Sequence, residues 1–142
     1  MGKRVLILIL LLLTGCRAQE PTPEQIYEKI RPGDVAMLQL SKPQMEALCG
    51  IKAEDVRLAQ IYVCADSLRA DEIWLLQAAD GQALQRIRRA AENRLSQKEA
   101  ESITYDEEQY AVVKQAKIVE IGNFFAMFVS PDAAEMEKRM TK

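Results

Sequence analysis

Two residues of opposite charge, Glu72 and Arg94, are the strongest candidates for a chemical role in this sequence. Glu72 begins an apolar run, and Arg94 borders the apolar stripe of a predicted helix beside Ile87. A carboxylate and a guanidinium held together could line a ligand site. The same pair could instead be partly buried and fix how a helix docks on a sheet. We favour the structural interpretation, because no nucleophile or glycine-rich phosphate-binding loop lies nearby in the sequence.

Histidine is absent from all 142 residues, which limits the chemistry available to the protein. The chain therefore lacks the commonest general base, the commonest metal ligand and any Ser-His or Cys-His nucleophilic pair. If the protein is an enzyme, its acid or base would have to be a residue such as Glu72, Glu120 or Tyr105. The formal net charge is −2, and no basic stripe is present. Nucleic acid is therefore not expected as a partner.

Three other groups of side chains have a structural explanation that we favour over a functional one. They are the acids Asp106, Glu107 and Glu108, the arginines Arg86, Arg88 and Arg89, and the aromatic residues Trp74, Phe124, Phe125 and Phe128. Acids stabilise the amino terminus of a helix through its dipole, which explains the first group without a cation. The arginines are expected on a solvated helix face rather than against anionic lipid or polymer. The aromatic residues are expected in the core rather than in a carbohydrate platform. No metal or cofactor site is predicted.

The first fifteen residues have the pattern of a secretory signal. Lys3 and Arg4 form a positively charged start, and residues 5–13 are apolar without interruption. Nine residues are too few to cross a bilayer, which takes ~20, but they suit the hydrophobic region of a signal peptide. We therefore predict that residues 1–15 are a signal that directs the chain out of the cytoplasm.

The apolar run ends in Leu13, Thr14, Gly15 and Cys16, which together resemble a bacterial lipobox. The resemblance implies a thioether-linked lipid on Cys16 and cleavage after Gly15. Residues 16–22 would then be the lipidated cysteine and a short tether, and the protein would be anchored outside the cytoplasm on a cell membrane. Two alternatives remain open. The segment could be an ordinary signal peptide that is followed by a cysteine by chance, or it could be an uncleaved membrane anchor.

Residues 23–142 are predicted to form one α+β domain organised around a long amphipathic helix from Gly81 to Tyr105. The apolar residues of this helix recur at spacings of three and four, at Leu84, Ile87, Ala91 and Leu95. Strand-like runs precede and follow it, at Val56–Val63, Glu72–Ala79 and within 117–130. The helix should therefore cover the sheet that these strands form. Glu72–Ala79 has no polar face between Ile73 and Leu76, which predicts a central strand.

Residues 117–130 are predicted to be a β-hairpin with Gly122 and Asn123 in a two-residue turn. This turn fixes the register. The predicted pairs are Ile121 with Phe124, Glu120 with Phe125, Val119 with Ala126, and Ile118 with Met127.

Further helices are predicted from capping patterns. Capping boxes occur at Thr22 with Gln25, Ser41 with Gln44, and Thr104 with Glu107, and Ser130-Pro131 is expected to cap a final helix. Met45 and Leu48 are the expected core contacts of the second helix. Residues 34–40 fit either helix or extended chain. The order after the amino-terminal helices is ββααββα, on an antiparallel or mixed sheet of about four strands.

From about Met45 onward, the order of short motifs resembles a bacterial lipoprotein family described as domain of unknown function 4358. The matching motifs are Cys49-Gly50-Ile51, Ala70-Asp71-Glu72-Ile73, the helix through Arg94, Tyr105, Gly122-Asn123-Phe124 and Val129-Ser130. The family implies an extracytoplasmic lipoprotein, and it implies no activity or catalytic residue.

Three hypotheses on function follow. The first is a membrane-anchored binding module whose partners are the membrane, through Cys16, and an unidentified envelope protein or polymer. The second is an envelope enzyme, which a concave pocket holding a carboxylate of raised pKa would favour. The third is a purely structural lipoprotein, which a closed core without an exposed apolar patch would favour.

Overall fold

The computed structural model describes residues 20–142, with the side chain of Tyr105 outside the description. The predicted signal, the lipobox and Cys16 lie outside these residues. The helices of the described part are α1 (Pro23–Ile30), α2 (Lys42–Cys49), α3 (Gly81–Tyr105), α4 (Glu107–Lys114) and α5 (Ala133–Thr141). Its strands are β1 (Met37–Gln39), β2 (Val56–Cys64), β3 (Glu72–Ala78), β4 (Lys117–Ile121) and β5 (Phe124–Val129). No helix within residues 20–142 is both long enough and apolar enough to cross a membrane.

The strands form one antiparallel sheet in the order β1-β2-β3-β5-β4. The predicted α+β class is confirmed, and the sheet has one strand more than the predicted four. The additional strand is β1, in the segment whose pattern fitted either helix or extended chain. It has three residues and pairs only with β2, from Met37 opposite Cys64 to Gln39 opposite Tyr62. So short an edge strand has little periodicity of its own.

Strand β3 lies at the centre of the sheet and is buried on both faces, as predicted. Trp74 and Leu76 point toward the core under α3, and Ile73 and Leu75 point toward a second core under α1 and α5. All four side chains are at most 1% exposed. Burial on both faces explains why the run has no polar alternation.

Helix α3 has the predicted bounds and the predicted apolar face. Ile87 and Ala91 are buried against the sheet, and Leu84 and Leu95 pack at the edge of the same core. The side chain of Asp80 accepts a hydrogen bond from the backbone N–H of Ala83 at 2.8 Å, which caps the first turn.

The β4–β5 hairpin has the turn and all four residue pairs that the sequence predicts. Gly122 adopts φ +58°, in the left-handed region where a side chain is unfavourable. The register follows from the turn alone, because the two strands are adjacent in the chain.

The predicted helix starts at Thr22 and Ser41 are confirmed, but two later starts are wrong. Thr104 lies inside α3, and Asp106 caps α4 by accepting a hydrogen bond from the backbone N–H of Gln109 at 3.0 Å. Aspartate and threonine both cap helices well, so both Thr104 and Asp106 were possible caps. The predicted start therefore lies two residues before the observed one. The final helix begins after Asp132 rather than at Ser130-Pro131.

The predicted core contact of Leu48 is also wrong. In α2, Met45 and Cys49 are each 5% exposed, whereas Leu48 is 50% exposed. Residues four apart lie on the same helix face, so Met45 and Cys49 together face the core. Leu48 lies outside that face and is exposed to solvent. The cysteine at position 49 therefore packs as a small apolar residue.

This orientation of α2 can be tested by alanine substitution. We expect Met45→Ala to lower the free energy of unfolding by about 3 kcal/mol, because it leaves a cavity in the core. The matched Leu48→Ala should change it by less than about 0.5 kcal/mol, as for other exposed sites. Chemical denaturation measures both values, and a larger loss for Leu48→Ala would contradict the orientation.

Candidate functional site

Glu72 and Arg94 are in direct contact, as the sequence predicts. Glu72 is the first residue of β3 and is completely buried, and α3 crosses above it. Arg94 Nη2 donates to Glu72 Oε2 at 2.9 Å, and Arg94 Nε donates to Oε1 at 3.1 Å. The guanidinium therefore binds the carboxylate through two nitrogens, in the bidentate geometry that makes such pairs strong.

Two further donors complete this site, and the sequence analysis missed both. Lys98 lies one helical turn after Arg94, and its Nζ is 2.9 Å from Glu72 Oε2. Trp74 lies two residues after Glu72 on the same strand, and its Nε1 donates to Glu72 Oε1 at 2.7 Å. The spacings of four on a helix and two on a strand were the available signals, because each places a residue on the same face as its neighbour. We call Glu72, Trp74, Arg94 and Lys98 the Glu72 cluster.

The Glu72 cluster keeps its carboxyl group ionised. Burial raises the pKa of Glu72, but the hydrogen bonds from Arg94 and the charge of Lys98 outweigh this, and the pKa lies below its usual value. Burial likewise opposes the charge on Arg94, but its contacts with Glu72 raise the pKa of the guanidinium. A carboxylate with a lowered pKa cannot act as a general acid near neutral pH.

A cleft of about 480 Å³ opens beside the Glu72 cluster, and its walls come from the β2–β3 loop, α3 and the start of α4. Hydrogen bonds fix the loop to both helices. Lys98 Nζ donates to the carbonyl of Ala70 at 3.0 Å, and the N–H of Ala70 donates to Gln109 Oε1 at 2.7 Å. Arg69 and Asp71 form an ion pair of 3.0 Å on the same wall. The cleft is thus lined by charges of both signs held in fixed positions.

Residues 33–130 match the family model of a domain of unknown function, DUF4358. The chain belongs to the DUF4358 family. The matched span contains all five strands and the Glu72 cluster, so this site is part of the DUF4358 domain itself. The comparison with curated proteins and the comparison with solved structures each found no match.

The two cysteines in the described part of the DUF4358 domain, Cys49 and Cys64, carry free thiols. Burial and the nearby charge of Glu72 raise the pKa of Cys49 to about 12, although Arg94 and Lys98 act in the opposite direction. The thiolate is the reactive form of cysteine, so Cys49 is poorly suited to be a nucleophile near neutral pH.

Glu120, another predicted acid-base candidate of the DUF4358 domain, makes no hydrogen bond or ion pair with the Glu72 cluster within the described residues. Glu120 on β4 instead accepts hydrogen bonds from Arg88 of α3. Tyr105 ends α3, and its side chain lies outside the described part. Neither the sequence nor the geometry brings Glu120 together with Glu72 as a catalytic pair.

The three arginines Arg86, Arg88 and Arg89 form a solvated face of α3 only in part. Arg86 is about half exposed and donates to Asp55 at 2.7 Å, and Asp55 is itself buried. Arg88 bonds Glu120, and Arg89 is exposed. Arg86 and Arg88 thus attach α3 to the segment before β2 and to β4, which are long-range contacts that the helix sequence alone does not reveal.

The acidic and aromatic groups have the predicted structural roles. Asp106, Glu107 and Glu108 are exposed at the start of α4. Residues 20–142 contain no group of three or more acids or cysteines arranged to hold a metal ion. Trp74, Phe125 and Phe128 are fully buried in the core, as predicted, and Phe124 is half-buried at its edge.

A pair of arginine substitutions tests the importance of the Glu72 cluster. Arg94→Leu should lower the free energy of unfolding by about 3 kcal/mol, because it leaves a buried carboxylate short of donors. The control Arg89→Leu, at an exposed position of the same helix, should cost less than about 0.5 kcal/mol. Equal denaturation midpoints for the two variants would contradict the cluster's role.

The lowered pKa of Glu72 also predicts a pH dependence. Its ionised form stabilises the folded state above the unfolded-state pKa of about 4.3, and this contribution is lost as the pH falls through the lower folded-state pKa. The stability advantage of wild type over Glu72→Gln should therefore shrink between about pH 5 and pH 2. The control Glu135→Gln removes an exposed carboxylate. Its free energy of unfolding should fall on acidification by the same amount as that of wild type. An advantage that stays constant on acidification would show that Glu72 is not held ionised.

Proposed function

We propose that this protein is a lipoprotein anchored to a cell membrane through Cys16, and that its DUF4358 domain is a binding module facing outside the cytoplasm. The sequence Leu13-Thr14-Gly15-Cys16 after an apolar run supports the anchor. Two acyl chains suffice for stable membrane attachment, because each buried methylene contributes ~0.8 kcal/mol.

The observation that carries the binding role is an open cleft whose floor is made of fixed charges. Arg94 and Lys98 are only 14% and 10% exposed, and both are already bonded to Glu72. A floor that is ordered before a ligand arrives loses little entropy on binding. The walls carry both acids and bases, so a polar ligand with charges of both signs fits better than a uniformly anionic polymer.

The enzyme hypothesis is weaker, because the carboxylate in the concave site has a lowered rather than a raised pKa.

The purely structural hypothesis is weaker because apolar side chains remain exposed at the cleft. Leu48 and Leu68 line the cleft and are 50% and 80% exposed. Apolar side chains beside fixed charges are typical of surfaces that bind a protein segment.

Membrane anchoring would make even a weak interface sufficient. A domain and a partner held on the same surface meet at a high effective concentration, so their binding does not require high intrinsic affinity.

The anchor is tested by labelling cells with radioactive palmitate. Wild-type protein should incorporate label, and Cys16→Ser should lose at least about 90% of it, since no other acylated residue is proposed. Cys64→Ser is the matched control, because it removes a cysteine from the folded domain, and it should label like wild type. Equal incorporation into wild type and Cys16→Ser would overturn the anchor.

The binding role is tested by site-specific crosslinking in intact cells. A photoreactive phenylalanine analogue at Leu68, on the cleft, should trap a discrete envelope partner. The same analogue at Ile118, which is exposed on β4 and does not line the cleft, should not trap it. Arg94→Leu should weaken the Leu68 crosslink if the variant stays folded. A crosslink of the same intensity from both positions, or from neither, would contradict binding at the cleft.

A further inference from the structure

The sheet has an apolar surface at the end opposite the Glu72 cluster. Leu58, Gln77, Phe124 and Ile121 are paired in sequence across β2, β3, β5 and β4 and form one row on the face that α1 and α5 cover. This row is the end of that face. Leu58 is 46% exposed and Ile121 is 56% exposed, and Phe124 is half-buried between them.

The row borders a groove of about 190 Å³, whose remaining walls come from Met140 of α5, Ile26 of α1 and residues 20–23. We call Leu58, Ile121, Phe124 and Met140 the tether-side surface. The name reflects its position, because Glu20 is the first described residue of the segment that leads back to Cys16.

The number of residues between Cys16 and this groove limits how far it can lie from a lipid. Glu20 is four positions after Cys16 in the sequence. Four residues span at most about 14 Å even when fully extended. A lipid on Cys16 would therefore hold Glu20 within about that distance of the membrane, and Glu20 lines the same groove as the tether-side surface.

We propose that the tether-side surface rests on the membrane leaflet that holds the lipid of Cys16. This inference depends on the proposed anchor. Exposed leucine, isoleucine and phenylalanine side chains bind at the boundary between headgroups and acyl chains. A second copy of the chain is a poorer occupant, because four partly exposed side chains offer far less than the ~800 Å² that each partner of a standard interface buries.

This arrangement would also orient the candidate site. Glu72 begins β3 and Gln77 lies near its end, five residues or about 17 Å along the strand. If the Gln77 end rests on the membrane, the cleft beside Glu72 faces away from it. The domain would then present its cleft to partners in the surrounding space rather than to lipid.

Tryptophan quenching by brominated lipid measures this contact. The full chain is produced with its own amino terminus in a bacterial host and reconstituted into phosphatidylcholine vesicles with brominated acyl chains. Ile121→Trp and Leu58→Trp place the probe on the tether-side surface. Leu68→Trp is the control, because Leu68 is 80% exposed in the loop at the other end of the sheet. The native Trp74 is completely buried and gives the same background in each variant.

We expect the introduced tryptophan of Ile121→Trp and of Leu58→Trp to lose at least about half of its fluorescence in brominated vesicles, because it would lie at the depth of the acyl chains. The introduced tryptophan of Leu68→Trp should lose little, because it would lie away from the bilayer. Thermal unfolding confirms that each variant is folded, and either tether-side variant suffices for the test. Equal quenching at all three positions, no quenching on the tether-side surface, or its burial in a dimer seen by light scattering would overturn the inference. An intact mass without lipid on Cys16 would overturn the proposed anchor and this inference together, whereas a lipidated but unquenched protein would overturn the docking alone.

Discussion

The buried carboxylate of Glu72 must be paired, because an unpaired charge in a protein interior costs several kcal/mol. It begins the central strand and is completely enclosed. Three side chains supply its donors: Arg94 and Lys98 from α3, and Trp74 from the same strand. Arg94 and Lys98 reach this carboxylate from one face of α3. Their contacts therefore favour the same rotation of α3 over the sheet as the apolar face of the helix does.

The same contacts determine the shape of the cleft. Lys98 bonds both Glu72 and the carbonyl of Ala70, so the lysine joins the central strand to the β2–β3 loop. Gln109 holds the same loop from α4. The charges of Arg94 and Lys98 at the floor are therefore already paired with Glu72 before any ligand binds. A carboxylate whose charge is balanced in this way is poorly suited to proton transfer near neutral pH.

Local patterns predicted much of this fold. The hairpin register followed from Gly122 and Asn123, and the central strand from its lack of polar positions. The Glu72–Arg94 contact was also predictable, since each residue stood at the apolar edge of its element. Lys98 was missed although its spacing of four from Arg94 places it on the same helix face, because a lysine side chain usually extends to solvent. Leu48 was misplaced because two apolar residues competed for one buried helix face.

Glu72 and Arg94 act as one structural unit, and a double-mutant cycle measures their coupling most directly. The free energies of unfolding of wild type, Glu72→Gln, Arg94→Leu and the double variant give the coupling between the two side chains. Our account predicts a favourable coupling of about 2 kcal/mol, within the range found for residues in one network. Additive effects, with a coupling near zero, would contradict it.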